Sequence, residues 1–253
     1  VIMRLFNLFK AELKKYWIEV RTYYPDHIVN VIVLIIFFVG FLNSNIGLGN
    51  FNSIYVGFVF WFFASNVISE SANSISSEKQ SGTFEQLLSK PVNIQLVIIF
   101  RVLSWLLMTS LKIVIVLMFI RFVFNIPFIL TLEIVGILLL TLIGVLGVGL
   151  FLSGLTIKYT KTASFESIIN YFLLFFSGTF GMLDVSNPVF KVIQENIPLS
   201  RGITMASQSL VQTVSVQDYL FLILNSAAYF IIGLVTFEII LAKGKQKGIN
   251  SNY

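Results

Sequence analysis

Cysteine is absent from this 253-residue chain, histidine occurs once, and only 11% of the residues are charged. Without cysteine there is no disulfide framework, no thiol nucleophile and no thiolate metal site. His27 stands beside Asp26 with no second imidazole anywhere in the chain, which excludes a histidine metal cage and a histidine-based catalytic relay. The phosphate-binding run G-x-x-x-x-G-K-[ST] does not occur, and Gly244-Lys245 and Gly248 lack its spacing, so no ATP site of that kind is expected in this chain. G-x-S-x-G is missing too. Ser153-Gly154 falls inside an apolar run, not at the strand-to-helix turn that exposes a nucleophile.

What the chain has is apolar length: 57% of its residues are hydrophobic and 26 are phenylalanine. Such a composition, gathered in long uninterrupted runs, belongs in a bilayer. Runs near 27–43, 54–76, 95–120, 129–155, 166–182 and 219–241 are each matched to the roughly 20 residues that cross the hydrocarbon core. Continuous runs read as helices, because barrel strands are short and alternate in polarity. The expectation is one all-α membrane domain with six transmembrane helices. With the N-terminus inside, twelve of the 17 Lys and Arg residues fall in inner segments, which predicts both termini to be cytoplasmic. The net charge of +5 is then a topology signal, and nucleic acid is not an expected partner.

Residues 3–24 are too charged for the apolar core of a cleavable signal peptide and read instead as an interfacial amphipathic helix. Leu5, Phe6, Phe9, Leu13, Tyr16, Trp17, Val20 and Tyr24 gather on one arc, and Pro25-Asp26 is expected to end the helix. Between the last two spans, residues 183–218 form a long connection that is external on this topology. Apolar-periodic stretches near Val189 to Ile197 and Ile203 to Val214 predict two short helices there.

Ionisable and polar groups inside spans are costly, so each is a functional candidate. Asn66, Glu70, Asn73 and Ser77 recur at four, three and four residues and share a helical face. Arg101 and Lys112 share a face of the third span, with Trp105 and Met108 between them. Glu70 and Arg101 are the candidate structural ion pair, and Lys112, lying deeper, is a candidate pathway residue. Gly144, Gly147, Gly149, Ser153 and Gly154 give the fourth span small surfaces for close helix packing.

Residues 78–93 interrupt the apolar pattern with a polar insert on the cytoplasmic side. Glu78 to Leu88 is expected to form a short helix with Phe84, Leu87 and Leu88 available for burial, stopped by Lys90-Pro91. Glu78, Gly82, Thr83, Glu85, Leu87, Leu88, Pro91 and Val92 match E-x-x-x-G-T-x-E-x-L-L-x-x-P-V. With that motif after the second span, the chain resembles the permease subunits of ABC-2 type exporters, the transmembrane subunits of type V fold ABC transporters. The resemblance implies that residues 78–93 carry a coupling helix seated in a separate ATP-binding subunit, which binds the ATP and Mg. It implies two permease copies, identical or closely related, with two ATPase subunits in a bacterial cytoplasmic membrane. Gly82 would allow a tight backbone approach, Thr83 would suit a helix N-cap, and Glu85 would be a polar contact or lie on the helix dipole. Thr83 and Glu85 serving only their own helix is the competing reading.

In this family the second and fifth spans of the two copies line the route. That makes Asn66, Glu70, Asn73, Asn170, Tyr171, Ser177 and Thr179 route candidates and the external connection a lid. Phe58, Phe60, Phe62, Phe63, Phe172, Phe175 and Phe176 would give the route an apolar lining, and no arginine cluster points to a polyphosphate. An amphipathic peptide or hydrophobic antimicrobial compound is the favoured cargo; a lipid-linked glycan or other lipid is the alternative. An ion-coupled secondary transporter is the rival class, and the inverted repeats and midplane carboxylates expected of it are scarce.

Overall fold

The computed structural model describes residues 2–44, 51–89, 92–125, 130–159, 162–179 and 188–246, and among them it is helical without strands. The helices are α1 (Ile2–Thr22), α2 (Tyr24–Ser44), α3 (Phe51–Gln80), α4 (Phe84–Leu88) and α5 (Ile94–Phe124). They continue with α6 (Leu132–Lys158), α7 (Ala163–Phe176), α8 (Pro188–Asn196), α9 (Pro198–Gln208) and α10 (Val216–Gln246).

By length and composition α3, α5, α6 and α10 are candidate membrane spans, and the bent pair α1–α2 brings the number to five if it counts as one. The six-span expectation loses two members on this measure. α2 qualifies only together with α1, from which it bends by 85°, and α7 has 14 residues. At 1.5 Å per residue α7 is about 21 Å long, short of a hydrocarbon core of about 30 Å.

The ends of the helices follow from capping. Asn93 accepts a hydrogen bond from Gln95 N at 3.0 Å to start α5, which Asn125 ends in the left-handed region at φ 53°. Thr131 accepts from Ile134 N at 3.2 Å and starts α6 three residues later than the apolar run. Pro25 lies in the first turn of α2, where its missing N–H costs nothing, so it opens the next helix and does not close α1. Among its described residues the connection 183–218 contains two helices, and the second begins at Pro198, five residues before the apolar periodicity.

α3 and α6 form the centre. The most apolar window of α3 is 72% buried against 22% for α10, which faces outward along most of its length. Small residues set the helix spacing around α6. A Cβ on Gly147 would run into the backbone of Tyr229 and Phe230, and one on Gly233 into Gly147 itself. Gly149 leaves room for Ser71, Gly144 for Pro198, and Gly202 in α9 for Thr141. The expected close packing of this span is present, and α9 packs into it with Leu199, Ser200, Ile203 and Ala206 all buried.

Candidate functional site

The insert is two helices, not one. α3 continues through Glu78 to Gln80, and Gly82 stops it with a φ of 69°, a conformation that a side chain makes costly. Thr83 N donates to Glu78 O at 2.9 Å and Gly82 N to Lys79 O at 3.1 Å, the pair of bonds of a Schellman C-cap. Leu87 N already donates to Thr83 O at 3.0 Å, so α4 starts with no spacer. The Thr83 hydroxyl does not cap α4 as expected. It turns back and donates to Glu78 Oε2 at 2.5 Å, tying the new helix to the old one.

α4 buries Phe84 and Leu87 in the common core, half-buries Leu88, and leaves Glu85 and Gln86 exposed. Ser89 N closes it on Glu85 O at 3.1 Å. The expected stop at Lys90-Pro91 lies outside the described residues.

Beneath this turn sits Arg101 of α5, 6% exposed and held by two other helices, α1 and α3. Its Nη2 pairs with Glu78 Oε1 at 2.6 Å, its Nη1 donates to Ser74 O at 2.9 Å, and its Nε meets Glu12 Oε1 of α1 at 3.3 Å. The expected pair with Glu70 is replaced by these contacts. α5 starts beside the end of α3, so seven residues along it the guanidinium reaches Ser74 and Glu78 and falls short of Glu70. Glu70 instead accepts the Tyr16 hydroxyl. Tyr16 in turn packs on Trp105 at 5.3 Å, and Trp105 Nε1 donates to Asn66 Oδ1 at 3.0 Å. Half of the polar stripe of α3 is thus covered by α1 and α5, while Asn73 and Ser77 stay exposed.

Glu12 and Tyr16 were absent from the candidates. Both are buried on α1; of the expected apolar arc Tyr16 is buried and Leu5, Phe9, Leu13 and Val20 half-buried, while Phe6, Trp17 and Tyr24 are exposed. The signal was a carboxylate, Glu12, one turn after Leu8 and one turn before Tyr16. Lys79 was also missed. Its Nζ donates to Ile157 O at 2.8 Å and Thr156 O at 3.4 Å, closing the free carbonyl end of α6 where a cation is favoured. Nearby, Ser69 Oγ donates to Glu166 Oε1 at 2.5 Å and joins α3 to the start of α7.

The route candidates divide. Tyr171 is 62% exposed on α7, beside Phe172 and Phe175, which are also exposed. Asn170 is half-buried and its carbonyl accepts from Trp61 Nε1 at 3.4 Å. Ser177 and Thr179 are fully buried and share a hydroxyl hydrogen bond of 2.6 Å, and the backbone of Thr179 packs where Gly57 lacks a side chain. Phe58, Phe60, Phe62 and Phe63 are buried in the core of the single chain and line no surface of it. Lys112 is buried as well, with Nζ 5.1 Å from the centre of the Trp105 ring.

Residues 3–211 match the ABC-2 type transporter family, so the chain belongs to that family, whose members are membrane permease components of ABC transporters. Comparison with curated proteins finds no match.

Proposed function

We propose that this member of the ABC-2 type transporter family is the permease subunit of an ATP-driven exporter, worked by a separate ATP-binding subunit through α4. The observation that carries the reading is the exposed edge of Glu85 and Gln86 on a helix whose other face is locked into the core. Among the described residues nothing explains why a five-residue helix should be suspended there with its polar edge outward. A cleft in a partner subunit explains it, and Gly82 is needed for the turn that hangs α4 on α3.

In the assembled exporter α2 and α7 complete six crossings, α1 lies at the inner interface, and both termini face the cytoplasm. The Lys and Arg distribution supports this orientation. A second permease copy covers the exposed aromatic edge of α7 and closes the route, and two ATPase subunits bind ATP and Mg. The cargo reading now rests on that edge, Tyr171, Phe172 and Phe175, because the α3 phenylalanines are occupied in the core. An aromatic edge suits an amphipathic peptide or antimicrobial compound better than a polar glycan.

Reconstitution in proteoliposomes tests the reading. Transport is expected only with the partner ATPase and ATP, and cargo movement by the chain alone would sink it in favour of an ion-coupled carrier. Glu85→Ala with Gln86→Ala should leave the permease folded while uncoupling hydrolysis from transport; unaltered coupling would reduce α4 to a connector.

A further inference from the structure

α1 turns a face of a single charge sign outward. Met3, Phe6, Lys10, Lys14, Trp17 and Arg21 are all exposed and follow one another at three or four residues. At 3.6 residues per turn they fall within an arc of about 80° and form a stripe about 27 Å long. The two acids of this helix, Glu12 and Glu19, point to the opposite side, where Glu12 is buried against Arg101 and Glu19 is half-buried. Among the described residues none of the three stripe cations is in an ion pair.

The helix cannot roll to hide this stripe. Its other face is fixed by Glu12 on Arg101, by Tyr16 on Glu70 and by the Phe9 ring 5.9 Å from that of Phe100. α1 also does not continue the line of α2, from which it bends by 85°. α2 keeps Ile28, Ile32 and Ile36 exposed along its length, a surface suited to acyl chains. A helix at nearly a right angle to one that crosses the bilayer lies in the bilayer plane, and exposed Tyr23 and Tyr24 suit the headgroup level at the bend.

We propose that the stripe binds anionic phospholipids of the inner leaflet, with Lys10, Lys14 and Arg21 on their phosphodiesters and Met3, Phe6 and Trp17 at the boundary with the acyl chains. This deepens the proposed function and rests on its placement of α1 at the inner interface. Long cationic stems can lie along an apolar edge and still deliver their charge to phosphate. A face with three cations and no acid attracts a headgroup of net negative charge and offers nothing to the ammonium of a zwitterionic one. Soluble phosphate would leave three large apolar side chains in water.

The chain has no cysteine of its own, so Asn7→Cys, exposed beside the stripe, takes a single bimane fluorophore. The full chain is placed in phosphatidylcholine nanodiscs with a small fraction of nitroxide-labelled phosphatidylglycerol or of equally labelled phosphatidylcholine. Phosphatidylglycerol should quench about 5-fold more strongly, the enrichment that one cation near a charged surface supplies. Lys10→Gln with Lys14→Gln should make the two lipids equal, and Lys10→Arg with Lys14→Arg should keep the difference. Lys243→Gln with Lys245→Gln, at the end of α10, should leave it unchanged; equal loss there would trace it to overall charge and overturn the proposal. Equal quenching by the two lipids in the otherwise native chain overturns the lipid assignment while leaving α1 at the interface. Quenching by neither overturns the placement of α1 as well. Loss of the difference in excess inorganic phosphate, but not in chloride of the same ionic strength, would make soluble phosphate the ligand and also overturns it.

Discussion

Where α6 meets α10, Gly147 and Gly233 bring two backbones into contact; where α5 meets α1 and α3, Arg101 joins three helices through charges and hydrogen bonds. The glycine seam has one arrangement, since sliding it by a residue would drive side chains into backbone. The guanidinium has alternatives, because it is shared between two carboxylates and a carbonyl. Glu12 Oε2 is buried without a partner, so the junction holds one more acceptor than it uses. Rigidity is thus concentrated in the apolar seam, and the capacity to rearrange lies next to α4, where a partner would pull.

The sharpest way to break this contrast is Gly147→Leu. It should prevent folding altogether, and even Gly147→Ala should cost about 2 kcal/mol by overpacking, read as a lowered unfolding temperature in detergent. Arg101→Ala should cost about 3 kcal/mol, because buried Glu12 and half-buried Glu78 lose their cation. Unlike the glycine changes it should also lower the ATP cost efficiency of transport in the protein that still folds. Measuring stability and coupling together separates the two regions; Arg101→Ala that loses stability with coupling intact would make the junction a second passive seam. Glu78→Gln should be more harmful than Glu12→Gln, since Glu78 holds the guanidinium at 2.6 Å and Thr83 as well, while Glu12 stands at 3.3 Å. Equal losses would show that α1, not the α3 end, anchors the arginine. Lys79→Met is the smallest effect, about 0.5–1 kcal/mol for the lost cap on α6, visible as earlier hydrogen exchange at Ile157 to Tyr159.

The long helices were legible because their apolar runs are uninterrupted. The runs at 54–76 and 95–120 lie within Phe51–Gln80 and Ile94–Phe124. The missed end of α3 is polar: Ser77 to Gln80 continue the helix because they have backbone partners and no breaker until Gly82. The glycine-rich face of α6 was also readable, since small residues in a lipid-facing sequence have few other uses. The Arg101 junction was only half readable. A charge in a span announces that it needs a partner, but which carboxylate answers depends on the stagger of α5 against α3, set by the few residues between them. Glu12 was hidden because one acid among the lysines of an amphipathic helix resembles solvent-facing charge. The burial of Phe58, Phe60, Phe62 and Phe63 was not legible for another reason: phenylalanine is as suited to filling a bundle as to lining a passage, and periodicity does not distinguish inside from outside when both are apolar.

α3 has one further property that follows from its length. Its 30 residues make a rod of about 45 Å. Ser71 holds that rod against α6: its side chain fills the space at Gly149, and its carbonyl accepts the Ser153 hydroxyl at 2.6 Å. From Ser71 to Gln80 is about 14 Å and from Ser71 to Phe51 about 30 Å at the same rise. A rod pinned so far off centre is a lever of about one to two. A shift of ~1 Å imposed at α4 would arrive as about 2 Å at Phe51 and about 1.5 Å at Gly57, which meets the backbone of Thr179. Mechanical gain, set by where a serine and a glycine meet, would then decide how far a small push at α4 opens the opposite side of the bundle.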